Sequence, residues 1–70
     1  MKTAVDVNLL LELRTQNGYS ISDMAGYLGY KTPTGYWLLE KGKRRVSVDV
    51  LYRLSQLYGR EMEEFLLLQE

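Results

Sequence analysis

Lys41, Lys43, Arg44 and Arg45 place four cations within five residues of a 70-residue chain. A cluster of this kind suits charge-assisted hydrogen bonding to phosphate oxygens. It stands out because the whole chain is neutral, with nine Lys+Arg against nine Asp+Glu. Residues 31–45 carry Lys31 and these four cations against Glu40 alone, a local balance of +4. Residues 60–70 carry Arg60 against Glu61, Glu63, Glu64 and Glu70, a balance of −3. The other reading of the basic stretch is a solvated loop. Just upstream stand Trp37 and Leu38, adjacent and apolar. Together they fit a protein-binding surface, since Trp is a frequent interface anchor. The other reading folds Trp37 back on Tyr27 or Tyr30, where it widens a small core.

The residue types that are missing exclude more. There is no His and no Cys, which removes zinc fingers, disulfides, iron–sulfur ligation, a Cys nucleophile and a His base. No phosphate-cradling Gly-rich loop or nucleophile–base pair is visible. The expectation is a non-enzyme with no catalytic residues, metal, cofactor or small-molecule ligand. The longest apolar runs are three or four residues, far short of the roughly 20 that a membrane helix needs. The amino-terminal stretch lacks the apolar core of a signal peptide. The expected setting is the cytoplasm, away from membranes. A chain of this length buries only about 60% of its unfolded surface, enough for one core and one functional surface.

The elements that must position these residues read as five short helices. Asp6 caps a helix from about Val7 to Gln16, with Leu9, Leu10 and Leu13 inward. Ser20 and Asp23 form a capping-box pair flanked by Tyr19 and Met24, opening a second helix that buries Met24, Ala25 and Leu28. Thr32 is placed to cap a third helix with Pro33 at its first position, running to about Lys41. Ser47 caps a fourth, with Asp49 in its first turn and Val48, Leu51, Leu54 and Tyr58 inward. A fifth is expected from about Glu61 to Leu68. The core expected is Leu10, Leu13, Met24, Ala25, Leu28, Tyr36, Leu39, Leu51, Leu54 and Phe65, with no sheet. Phe65, Leu66, Leu67 and Leu68 would be apolar all round that last helix. They are therefore the expected self-association contact, through Leu67 or Leu68.

Leu13-Arg14, MAGYLGY at 24–30, YWLLEKGKR at 36–44 and VDVLYRLSQLYG at 48–59 together resemble the Cro/repressor class of helix-turn-helix proteins, the xenobiotic-response-element family. The resemblance covers nearly the whole chain. It is nearest to small phage or mobile-element lysogeny regulators whose turn, here Gly-Tyr-Lys-Thr, is one residue longer than the common one. It implies an all-α, lambda-repressor-like five-helix bundle occupying residues 1–70 as one domain. The helix-turn-helix lies at about 20–41 and the recognition helix at about 33–41. It also implies that Arg14 and Glu40 pair and lock the first helix to the third, and that the loop after the recognition helix touches phosphate. The DNA-facing set implied is Lys31, Thr32, Thr34, Trp37, Leu38, Lys41, Lys43, Arg44 and Arg45.

The chain departs from the family pattern in two places. Ile21 stands where the family often has a phosphate-binding Gln. The exposed positions of the third helix hold Thr32, Thr34, Gly35, Trp37 and Leu38 instead of the Gln, Asn, Arg or Lys that make bidentate contacts with base edges. Two functions therefore compete. The first is a phage-type, Cro-like transcriptional regulator that binds double-stranded operator DNA as a homodimer. The second is an antirepressor on the same fold that binds and inactivates a partner repressor protein. Salt separates them, because phosphate contacts weaken steeply with added salt and apolar association does not.

Overall fold

A computed structural model describes residues 2–69. In chain order it contains β1 (Lys2–Val5), α1 (Val7–Gln16), α2 (Ile21–Leu28), α3 (Pro33–Glu40) and α4 (Val48–Tyr58), then a 3₁₀ turn (Met62–Phe65) and β2 (Leu66–Gln69). The four α-helices begin where the capping residues place them. Asp6 accepts from the Leu9 amide at 3.1 Å. Ser20 Oγ accepts from the Asp23 amide at 2.9 Å while Asp23 Oδ2 accepts from the Ser20 amide at 2.8 Å, a complete capping box. Ser47 Oγ accepts from the Val50 amide at 3.2 Å. Thr32 precedes α3 but its side chain makes no capping bond. Pro33 opens that helix instead, its fixed φ and absent N–H suiting the first position.

All ten expected core residues are buried, and Val50 joins them. Val48 does not: it is 75% exposed. It occupies the first position of α4, where the stripe through Leu51 and Leu54 runs past the end of the bundle. There Val48 helps line an open groove with Val7, Val46 and Leu66, which Lys43, Arg44 and Arg45 also border.

The expected fifth helix is absent, and the expectation of no sheet fails with it. Met62–Phe65 makes one 3₁₀ turn, in which the Glu61 amide donates to Glu64 Oε2 at 2.8 Å. Phe65 is fully buried, and beyond it the chain straightens. β2 pairs antiparallel with β1, with Val5 opposite Leu66, Ala4 opposite Leu67 and Thr3 opposite Leu68. The Asp6 amide donates to the Phe65 carbonyl at 2.7 Å and joins the ribbon to the start of α1. The apolar spacing of Met62, Phe65 and Leu66 fits a helix, but a turn or two of isolated helix is weakly stable because nucleation is costly. Pairing with the amino-terminal strand satisfies the same backbone groups and tucks Leu66 against the core. The fold is thus a four-helix, mostly helical domain closed by a two-stranded ribbon.

Candidate nucleic-acid interface

α2 and α3 are joined by residues 29–32. Gly29 ends α2 with φ +84°, a left-handed conformation that residues with a side chain rarely adopt. The Tyr30 amide then donates to the Ala25 carbonyl at 2.8 Å, folding the turn back on α2. In the first turn of α3, Gly35 is buried against Tyr30. A Cβ at position 35 would lie 2.9 Å from Tyr30 Cδ1, inside any real contact, so only glycine lets the turn and the helix approach this closely.

α3 turns Gly35, Tyr36 and Leu39 inward. Thr34 and Trp37 are exposed on its other side and Leu38 is half-buried. Trp37 is 40% exposed. It does not fold back on Tyr27 or Tyr30. Its ring instead carries the Lys41 ammonium, with Nζ 5.6 Å from the ring centroid. Lys31, Thr32, Lys41, Lys43, Arg44 and Arg45 are all exposed. The expected set thus lies along the turn, α3 and the loop that follows it, and Lys43, Arg44 and Arg45 also line a groove with β1 and Val48.

Two contacts organise this side, and neither was evident from the residue pattern. One is Lys41 on Trp37. The other is the Arg44 guanidinium, whose Cζ lies 5.3 Å from the Tyr30 ring centroid. Tyr30 thus touches α3 through Gly35 and the basic loop through Arg44, and it is the residue the sequence reading missed. The available signal was the Gly35 gap five residues after a tyrosine in a turn. At the loop's start, the Gly42 amide donates to the Leu39 carbonyl at 3.1 Å and the Lys43 amide to the Leu38 carbonyl at 2.9 Å.

The end of α3 is held from the far side. Arg14 Nε donates to Glu40 Oε2 at 2.6 Å and Arg14 Nη2 to Glu40 Oε1 at 3.1 Å, a bidentate pair. Arg14 Nη1 also donates to the Tyr19 carbonyl at 3.1 Å. The Glu40 carboxylate holds Arg14 charged above its ordinary pKa. Tyr36 and Tyr58 complete the cluster. The Tyr36 hydroxyl is buried and makes no hydrogen bond among the described residues. Burial first, then the neighbouring Glu40 carboxylate, raise its pKa well above the tyrosine value. Burial and Glu40 likewise push Tyr58 up to about 12.

Phe65 to Leu68 do not form one apolar helix. Phe65 is core, Leu66 is half-buried, and Leu67 and Leu68 are exposed on β2. No helix of the described residues is long and apolar enough to cross a membrane.

A helix-turn-helix family model matches residues 10–65. No curated protein and no solved structure matches the chain.

Proposed function

The chain belongs to the Cro/C1-type helix-turn-helix family, a family of DNA-binding regulators, and from that premise we propose that it is a phage-type, Cro-like transcriptional regulator that binds operator DNA with α3 in the major groove. One observation carries this reading. The basic loop Lys41–Arg45 follows α3 directly and touches the helix-turn-helix twice, through Lys41 on Trp37 of α3 and Arg44 on Tyr30 of the turn. The leading end of α3, with Lys31, Thr32 and Thr34, meets base edges. Lys43, Arg44 and Arg45 grip phosphate, which fixes register without reading sequence.

The working form is a homodimer. Leu67 and Leu68 are 42% and 71% exposed on β2. A ribbon edge carrying uncharged leucines is a template for a second strand. In the antiparallel register the Asp6–Phe65 pair is hydrogen-bonded, so the alternation turns the Leu68 backbone groups toward the outer edge. Two copies pairing these edges about a two-fold axis would present two recognition helices, which adjacent major grooves receive when they lie about 34 Å apart, one DNA turn.

The exposed indole of Trp37 favours a second reading, an antirepressor in which Trp37 enters a pocket on a repressor protein. Selection of duplexes from a random DNA pool at low salt tests the choice. The DNA reading expects enriched half-sites spaced by one helical turn. Enrichment of nothing by a folded protein would leave the protein-partner reading.

A further inference from the structure

The outer face of α3 has an unusual composition for reading base edges. Thr34, Trp37, Leu38 and Lys41 follow the i, i+3, i+4, i+7 rhythm of one helix face, opposite the buried Gly35, Tyr36 and Leu39. No Asn, Gln or Arg stands on it, so the bidentate pairs that distinguish adenine and most often guanine are absent from the helix. Lys41 is engaged over the Trp37 ring, and Lys31 lies in the turn ahead of the helix. What α3 offers is a threonine methyl, an indole and part of a leucine.

Among the ordinary bases, the major groove presents one apolar group, the C5-methyl of thymine. Resting on the DNA-binding reading above, we infer that α3 reads C5-methyl groups, with Trp37 as the specificity-determining side chain. The Lys41 ammonium over the indole favours one ring orientation before DNA arrives, which lowers the ordering cost of the contact. It also carries a charge beside the apolar surface, where the groove is lined by phosphate. Thr34 extends the methyl-facing surface toward the leading end of the helix. The same chemistry accepts 5-methylcytosine, which carries its methyl at the equivalent ring position, so thymine and methylated cytosine are the two sources of the recognised group.

The test uses the full chain and the best duplex from a random-pool selection. Each thymine is replaced in turn by deoxyuridine, which deletes only the C5-methyl, and binding is followed by fluorescence anisotropy. At contacted positions each replacement should weaken binding about fourfold, the scale of one buried methyl. Replacing a contacted thymine by 5-methylcytosine, with guanine opposite, should be bound more tightly than plain cytosine there. Trp37→Ala should erase the thymine–deoxyuridine difference, and Trp37→Phe should keep part of it. The salt dependence should stay unchanged in both. Equal affinity for the thymine and deoxyuridine duplexes overturns the inference while leaving DNA binding intact. Full discrimination surviving in Trp37→Ala overturns the assignment to Trp37. Absence of any duplex binding at low salt, with native circular dichroism, ends the DNA reading and this inference with it.

Discussion

Arg14 and Glu40 lie 26 residues apart in sequence and meet in a bidentate pair, with Nε–Oε2 at 2.6 Å and Nη2–Oε1 at 3.1 Å. The pair fastens the last turn of α1 to the last residue of α3, where the basic loop begins. It is mostly buried, with 15% of the Arg14 side chain and 6% of the Glu40 side chain exposed. Removing one partner strands the other, at a cost of roughly 3–5 kcal/mol. Arg14→Ala should therefore destabilise strongly in urea denaturation. The double change Arg14→Ala with Glu40→Ala should cost less than the two single changes together. Simple additivity would show that the contact carries no coupling.

Tyr36 is expected to behave in the opposite sense. Its buried hydroxyl lies beside the Glu40 carboxylate without a hydrogen bond of good geometry among the described residues, and leaving such a group poorly paired costs about 1–3 kcal/mol. Tyr36→Phe should leave stability unchanged or raise it. The pKa values of Tyr36 and Tyr58 are raised in the folded state, above the ordinary value of 10.0. Their contribution to stability is therefore complete below pH 10, and it is lost as pH rises toward and through the folded values. The wild type should lose stability above pH 10, and Tyr36→Phe should lose less. A variant that is markedly less stable at pH 7, or equally alkali-sensitive, would argue against this account.

The capping box predicts an acid-side effect. Hydrogen bonds from the Ser20 amide, then the Ser20 side chain, hold Asp23 below its ordinary carboxylate pKa of 3.8. A lowered folded pKa contributes stability above the unfolded value and loses it as pH falls through the folded one. Asp23→Asn should flatten the stability profile below about pH 4. Ser20→Ala should cost about 1 kcal/mol at neutral pH. An unchanged acid limb in Asp23→Asn would show that the side chain does not cap in solution.

Gly35→Ala tests the contact that couples the turn to the basic loop. The added methyl would sit 2.9 Å from Tyr30 Cδ1, and Tyr30 must shift with the Arg44 guanidinium that rests on it. Overpacking of this kind costs about 1–3 kcal/mol. The expected result is a lower urea midpoint together with weaker DNA binding than the stability loss explains. Wild-type affinity in the folded variant would show that Tyr30 does not position Arg44.

α1 to α4 were legible because each start carries a local device: Asp6, the Ser20–Asp23 box, Pro33 and Ser47. The core was legible because its leucines and Tyr36 repeat at helical spacing. The ribbon was not legible, because the strands Lys2–Val5 and Leu66–Gln69 meet from opposite ends of the chain and nothing local to either reports the other. Leucine also favours helices, so its intrinsic preference at 66–68 pointed the wrong way. At the interface, residue types located the basic loop. The pairings of Lys41 with Trp37 and Arg44 with Tyr30 depend on side-chain directions that spacing alone leaves open.

The dimer has its own test. Leu68→Lys puts a charge on the exposed edge strand, a change that blunts strand pairing. Because Leu68 is exposed, the protomer should stay folded. Sedimentation should show the wild type shifting to dimer with concentration and the variant remaining monomeric. A wild type that is monomeric throughout would remove the edge-strand dimer.

DNA binding by α3 and the basic loop must show itself in the salt dependence of the association. For the wild type, the logarithm of the association constant should fall linearly with the logarithm of salt concentration as counterions are released. Lys43→Ala and Arg44→Ala should each weaken binding to all duplexes about equally and lower that slope by about one. Slopes unchanged in both variants, or no duplex binding at low salt by a folded protein, would contradict DNA binding by this surface.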